Sequence, residues 1–181
     1  MDLMTKAEIL SEQDFQRIVT RLSHEILEKN RGSEDLVIVG IRTRGAYLAQ
    51  RISSKIREIE GKEIPTGFLD ITLYRDDFRT RLKQPTVQVT NIPFQIDEQN
   101  IVLVDDVLYT GRTIRSALDA LMDFGRPARI YLAVLVDRGH RELPIRPDFV
   151  GKNIPTSIGE EVKVLMKEVD ETDQVLLVET K

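Results

Sequence analysis

With 181 residues the chain has the length of one domain, able to bury roughly 70% of its unfolded surface. It has no cysteine, which excludes disulfides, thiolate metal sites and a cysteine nucleophile and fits a reducing compartment. The net charge is −4 and no apolar run approaches the ~18 residues of a membrane helix, so a soluble cytoplasmic protein with no membrane or DNA partner is expected.

Ser11-Glu-Gln-Asp14 has the form of a loose capping box, and Phe15, Ile18, Val19, Leu22, Ile26 and Leu27 follow at helical spacing. This predicts a helix that ends near Asn30 to Gly32. Off its apolar face, Arg17, Thr20, Arg21, His24 and Arg31 recur three and four apart as a polar, basic stripe. Leu36 to Ile41 is a short buried strand. The polar turn Arg42-Thr-Arg-Gly45 then leads into a helix with an apolar stripe of Leu48, Ala49, Ile52, Ile56 and Ile59. Phe68 to Tyr74 alternates as a strand does, and residues 75 to 85 lose all periodicity.

Residues 101 to 113 read Ile-Val-Leu-Val-Asp-Asp-Val-Leu-Tyr-Thr-Gly-Arg-Thr. Apolar β-formers deliver two adjacent carboxylates to a small-residue turn that opens a helix. Asp105 and Asp106 can accept hydrogen bonds from the vicinal hydroxyls of a sugar. Thr110, Gly111 and Thr113 stand where a helix N-terminus attracts an anion. Without a sugar or cation nearby, neighbouring carboxylates at a strand end repel each other and add little to the fold. An amphipathic helix follows with Ile114, Ala117, Leu118, Leu121 and Met122, ending at Gly125, and Ile130 to Val136 is a further interior strand. Strands alternating with helices predict a parallel sheet with helices on both faces, whose ligands bind at the carboxyl ends of the strands. Between Arg138 and Lys152, five basic or imidazole side chains face only Glu142 and Asp148, so an acidic chain still carries a basic face.

The 101 to 113 block resembles the phosphoribosyl pyrophosphate motif of the type I phosphoribosyltransferases, without a gap from the acidic pair through Thr-Gly-Arg-Thr. The resemblance implies an α/β fold: one domain over residues 1–181 with a parallel-sheet core, helices on both faces, a small hood at about 138–160 and a flexible lid loop at about 74–86. It also implies that Asp105 and Asp106 are catalytic and position the ribose. With Val107, Leu108, Tyr109, Thr110, Gly111, Arg112 and Thr113 they would bind phosphoribosyl pyrophosphate or its nucleotide product. Thr43 and Arg44 would take the pyrophosphate, and Arg75 of the lid would assist its departure. Mg²⁺ is expected to arrive with the substrate phosphates, without a dedicated protein cage.

Purine-using relatives carry a carboxylate three positions after the second acid, where this chain has Tyr109, and tend to carry a lysine where it has Arg138. Both departures weigh against a purine, although Asp148-Phe-Val-Gly151 echoes those enzymes; the alternative is a hypoxanthine or guanine phosphoribosyltransferase without an RNA role. The run from Asp137 to Ser157, together with Thr72-Leu-Tyr-Arg-Asp-Asp77, closely resembles the bacterial pyrimidine-operon attenuation regulators. That resemblance implies conversion of uracil and phosphoribosyl pyrophosphate to UMP and pyrophosphate, with Arg138 and Val162 at the uracil. It further implies binding of a pyrimidine-operon leader mRNA through Thr20, His24, Arg141, Arg146 and Lys152. UMP or UTP would favour the RNA complex and so transcription termination, in a homodimer that can assemble further.

Overall fold

The computed structural model describes residues 3–72 and 90–180. The expected lid at about 74–86, and Arg75 with it, lies outside the described residues. In chain order the elements are β1 (Leu3–Leu10), α1 (Glu12–Asn30), β2 (Leu36–Ile41), α2 (Arg44–Glu60), β3 (Thr66–Leu69), β4 (Asn100–Leu108), α3 (Arg112–Met122), β5 (Arg129–Asp137), β6 (Phe149–Asn153), β7 (Glu160–Leu165), α4 (Lys167–Asp170) and β8 (Gln174–Thr180). Five strands form a parallel sheet in the order β3-β2-β4-β5-β6, and three form an antiparallel sheet in the order β1-β8-β7.

Alternation along the strands sorts the core into two layers. Ile38, Val102, Val104, Ala133 and Leu135 face α1 and α2, whereas Val37, Val39, Leu103 and Val134 face α3. Each such Ile, Val or Leu contributes roughly 1.5–3 kcal/mol by leaving water. The strands read as continuous apolar runs because both faces of a parallel sheet are covered. Ser11 caps α1 as the sequence predicts: its Oγ accepts the Asp14 N–H at 3.3 Å, and the Asp14 carboxylate accepts the Ser11 N–H at 3.2 Å. The helix ends with Arg31 in the left-handed region at φ 58°, followed by Gly32.

Several expectations need correction. β3 covers only Thr66–Leu69, because the Asp70 carboxylate accepts the Thr72 N–H at 2.9 Å and hydroxyl at 2.6 Å and turns the chain out of the sheet. The last predicted apolar positions of two helices, Ile59 and Met122, are exposed where the helix ends overhang the core. Phe149–Asn153 belongs to the main sheet as its β6 edge. The separate small sheet is built from both ends of the chain, and nothing in the sequence reading anticipated β1. Arg51 fastens this sheet to the core. Its guanidinium lies 5.1 Å from the Phe15 ring centre and bonds to Glu168 at 2.6 and 2.8 Å and to the buried Asp173 at 2.7 and 2.9 Å.

Candidate active site

The carboxyl ends of β2, β4 and β5 bring the predicted residues to one edge. Near the end of β4, Asp105 is only 7% exposed and its Oδ1 accepts the Asp106 N–H at 2.9 Å, while Asp106 is half-buried. Val107 and Leu108 pack their side chains into the two opposite core layers, so only their backbone is offered to a ligand. The chain then turns through Tyr109 and Thr110 to Gly111, which caps α3 at φ 93°. A Cβ at Gly111 would meet Ile145 at 3.3 Å, so this position needs glycine for its backbone angle and for the close approach of the following segment. Thr110 Oγ1 accepts the Arg112 N–H at 3.3 Å, and Thr113 lies half-buried in the first turn of α3. The turn thus aims backbone N–H groups and the positive end of α3 at one spot, which suits a phosphate.

The second turn, between β2 and α2, is packed directly against the acidic pair. A Cβ on Gly45 would lie 2.7 Å from the Val104 carbonyl oxygen and 3.1 Å from the Asp105 Cα. Thr43 is exposed at the start of α2, joined to Arg42 through a cis peptide bond. Arg44, expected at the pyrophosphate, directs its guanidinium to the Asp170 carboxylate at 2.9, 3.0 and 3.3 Å. Arg42 instead lines a cavity of about 250 Å³ with Thr43, Ala46, Tyr47, Gln50 and Phe68. Its buried Nε has no hydrogen-bond partner among the described residues, and its guanidinium carbon lies 5.4 Å from the Phe68 ring centre. Just past the end of β3, the buried Asp70 Oδ2 is likewise without a partner among the described residues. Buried polar atoms left in this state are costly to a fold. The sequence reading chose Thr43 and Arg44 in this turn and passed over both Arg42 and Asp70, because burial without a partner leaves no local sequence signal.

The segment after β5 closes the edge. The Arg138 guanidinium lies 3.9 Å from the centre of the exposed Tyr109 ring and donates to the Glu160 carbonyl at 2.6 Å and the Thr156 hydroxyl at 3.3 Å. His140 approaches the same ring edge-on at 5.9 Å and hydrogen-bonds the Thr156 carbonyl at 2.6 Å. Asp137 and Arg141 form an ion pair at 2.6 Å. Burial pushes the Asp137 carboxyl up, but the Arg141 hydrogen bond, the Gly139 N–H and the Arg141 charge outweigh it and hold the group below the usual carboxylate range. Arg141 also donates to the carbonyls of Tyr109 and Ile145, both at 2.9 Å. The Glu142 and Leu143 N–H groups donate to the Thr110 carbonyl at 2.9 and 3.2 Å, and the Glu142 carboxylate pairs with Arg112 at 2.7 Å. Val162 sits on β7, half-buried against the α1 and α2 layer.

The expected RNA residues separate into two kinds. His24, Arg146 and Lys152 are exposed, and Thr20 is half-buried with its hydroxyl donating to the Gln16 carbonyl at 3.1 Å. Arg141 is held inside the segment just described. Arg21, in the same α1 stripe, donates to the Val150 carbonyl at 3.2 Å and also reaches that of Gly151, tying α1 to the sheet edge. Among the described residues no group of three or more His, Cys, Asp or Glu is placed to hold a metal ion, and no helix is long and apolar enough to cross a membrane.

A phosphoribosyl transferase domain model matches residues 5–168. The chain is 62% identical over 172 residues to the bifunctional protein PyrR of Thermus aquaticus, covering 95% of each. It is 58% identical to that of Deinococcus radiodurans, over 95% of this chain and 94% of the other. Against that of Pelotomaculum thermopropionicum the identity is 57% over 97% of both. Among solved structures, the hypoxanthine phosphoribosyltransferase of Trypanosoma cruzi aligns with a TM-score of 0.72 over 98% of both chains at 14% identity. That of Staphylococcus aureus aligns with 0.69 over 95% and 92% at 21%. At those identities the two structures speak to the fold alone. The domain match and the PyrR relatives, more than half identical over nearly the whole length, show that the chain belongs to the phosphoribosyl transferase domain family, among the bifunctional PyrR proteins.

Proposed function

We propose that the chain transfers the phosphoribosyl group from phosphoribosyl pyrophosphate to uracil, giving UMP and pyrophosphate, and that it binds a pyrimidine-operon leader RNA to regulate expression of that operon. The observation that carries the first activity is the packing of two anion-binding turns on either side of one carboxylate pair. Gly45 touches Asp105 from the α2 side and the Gly111 turn follows Asp106 on the α3 side. A ribose bearing a phosphate at one end and a pyrophosphate at the other fits that order. The Asp106 carboxylate then faces the sugar ring, where positive charge develops as the pyrophosphate leaves, and the diol hydroxyls can donate to the acid pair. Arg42, which lines the adjoining cavity, supplies cationic charge on the pyrophosphate side.

Arg138 supports a pyrimidine. Two hydrogen bonds and the Tyr109 ring fix its plane, and the remaining guanidinium N–H groups are available to a uracil carbonyl. Tyr109 occupies the place where a carboxylate would serve a purine ring, so the purine alternative keeps only its likeness of fold. Mg²⁺ fits the site as an ion accompanying the pyrophosphate, because one or two carboxylates such as Asp105 and Asp106 together with substrate oxygens and water satisfy it. When bound it neutralises phosphate charge. Comparing uracil, hypoxanthine and guanine as acceptors tests the assignment: activity confined to uracil is expected, and turnover of a purine at equal efficiency would overturn it.

For the second activity the support is a surface carrying His24, Arg146 and Lys152 together with a physical route to the nucleotide site. Residues 141–145, just before Arg146, are hydrogen-bonded to the Thr110 and Tyr109 carbonyls of the phosphate turn. A nucleotide that steadies this turn therefore steadies Arg146. Folded RNA is read through phosphates, 2′-hydroxyls and unstacked bases, for which Arg, Lys and His are suitable. A homodimer would double the surface. The test is affinity for a pyrimidine leader hairpin at fixed salt with and without UMP. Tighter binding with UMP is expected, and binding indifferent to UMP would remove the proposed link.

A further inference from the structure

A second polar cavity lies at the end of the main sheet opposite the catalytic edge. It sits at the amino ends of β4 and β5, beside the last turn of α1, with a volume of about 460 Å³, and is lined by Lys29, Asn30, Arg31, Asn100, Arg129 and Tyr131. Asn100 opens β4 and Asp106 stands near its far end, so the six-residue step along the strand puts about 20 Å between the two sites. Nothing in the phosphoribosyl transfer described above uses these residues.

Lys29, Arg31 and Arg129 converge here, and none of them forms an ion pair among the described residues. Cations on the neighbouring surface behave differently: Arg51, Lys55, Arg57 and Lys62 all meet a carboxylate. The C-terminus of α1 does not account for the excess charge either, since the Arg31 and Gly32 N–H groups already cap the Glu28 and Leu27 carbonyls. Three gathered positive charges with no acid repel one another, and an anion between them relieves that repulsion.

The rest of the lining narrows the anion. The Asn100 Nδ2 donates to the Asn30 Oδ1 at 3.0 Å, and the Asn30 Nδ2 donates to the Gly32 and Glu34 carbonyls at 2.8 and 3.0 Å, so both amides are held in fixed orientation. The Tyr131 ring is half-buried and packed edge-on against Phe149 with centroids 6.1 Å apart. Charge for a phosphate, an oriented amide for a base edge and an aromatic wall for a base face make a nucleotide-binding set, in a volume within the usual range for such ligands. The cavity also continues the α1 stripe. Arg31, the last member of that stripe, lines the cavity seven residues after His24, about 10 Å along the helix axis.

We propose that this cavity takes one nucleotide of the bound RNA, with its phosphate among Lys29, Arg31 and Arg129 and its base against Tyr131. The inference rests on the RNA-binding reading given above and extends the RNA footprint from α1 to the end of the sheet remote from catalysis.

The test uses the full chain as wild type, Arg129→Gln and Lys29→Gln, titrated with the pyrimidine leader hairpin at several salt concentrations in the presence of UMP. Phosphoribosyl transfer and the melting temperature are measured on the same preparations. Each variant is expected to keep wild-type transfer and melting while binding the hairpin about tenfold more weakly, with the salt slope reduced by about one. A parallel arm saturates the catalytic pocket with UMP and follows the Arg129 side-chain NMR signal as further free UMP or the hairpin is added. The signal should move with the hairpin at concentrations where free UMP leaves it in place. Variants that bind the hairpin with wild-type affinity and slope would overturn the proposal, and would do so even if free UMP moved the signal, because the ligand would then be the free nucleotide. A wild type that binds no hairpin would remove the RNA reading and this site together. A wild type that binds tightly beside unimpaired variants would remove this site alone.

Discussion

Arg138 stacks on Tyr109 with its guanidinium carbon 3.9 Å from the ring centre, so a residue that follows β5 and a residue of the phosphate turn act as one unit. Two further hydrogen bonds, to the Glu160 carbonyl and the Thr156 hydroxyl, fix the plane of the cation. Lysine keeps the charge but lacks the planar fork and the stacking surface. Arg138→Lys is therefore expected to lower kcat/KM for uracil by about tenfold or more, mainly through KM, since hydrogen bonds to a charged group contribute about 1.5–3 kcal/mol. Steady-state kinetics with uracil varied will show this, and an unchanged KM would remove Arg138 from the base site.

The two acids are predicted to differ. Asp106 is half-buried and free of strong structural duties, so Asp106→Asn should leave the melting temperature nearly unchanged while lowering kcat by about 10²–10³. Asp105 is buried and accepts the Asp106 N–H, so Asp105→Ala should cost about 1–3 kcal/mol of stability in addition to activity. Denaturant melts beside turnover measurements separate the two, and equal stability losses would overturn the division of roles.

Arg42 and Arg44 differ in their freedom to meet pyrophosphate. Arg44 spends its donors on Asp170, whereas the Arg42 Nε is buried and unsatisfied beside a cavity. Arg42→Gln is expected to raise KM for phosphoribosyl pyrophosphate by about tenfold, the loss of one charge-assisted contact. Arg44→Gln should act chiefly on stability, by releasing α4 and the small sheet. Initial rates with phosphoribosyl pyrophosphate varied decide between them; a larger KM effect at Arg44 would restore it as the main contact.

The main sheet and the acidic pair were legible because local signals agreed. The apolar runs of Leu36 to Ile41 and Ile101 to Val104 are long enough to be buried strands, and the small-residue turns after them mark helix starts. β1 was not legible. Leu3 to Leu10 has no strong alternation, and its strand form comes from pairing with β8 at the other end of the chain, which no local window contains. The respective roles of Arg42 and Arg44 were hidden for a similar reason: they stand two apart in one turn, and only the position of Asp170 distinguishes them. Arg141 read as a surface cation because the sequence cannot show the carbonyls that surround it.

Acid should loosen the segment that joins Arg141 to the phosphate turn. Asp137 is held below the usual carboxylate range by the balance described above. Asp173 is lowered as well, since burial raises it but the Arg51 hydrogen bond, the Lys167 N–H and the nearby cations prevail. A carboxyl lowered on folding adds stability that is fully present above its unfolded value near 3.9 and is lost as pH falls through the folded value. The melting temperature should therefore fall as pH drops below about 4. Asp137→Asn should start lower at neutral pH and show a shallower fall. Thermal melts from neutral pH down to about 3 will test this, and parallel curves for the two proteins would discount Asp137.

Arg141 and Arg146 lie in one basic run yet should fail differently when changed. Arg141 bridges the Asp137 carboxylate and the carbonyls of Tyr109 and Ile145, so its removal frees the phosphate turn and the segment that presents Arg146. Arg141→Gln is expected to weaken hairpin binding and also to raise KM for phosphoribosyl pyrophosphate severalfold. Arg146 is exposed, and Arg146→Gln should weaken hairpin binding with a salt slope smaller by about one while leaving transfer unchanged. In Arg141→Gln the strengthening of RNA binding by UMP should shrink as well, because the hydrogen bonds that would carry it from the phosphate turn are cut. Measuring hairpin affinity with and without UMP, beside turnover, for both variants decides the matter. An Arg141→Gln protein with intact catalysis and intact UMP response would mean that Arg141 contacts RNA directly and that the link runs elsewhere.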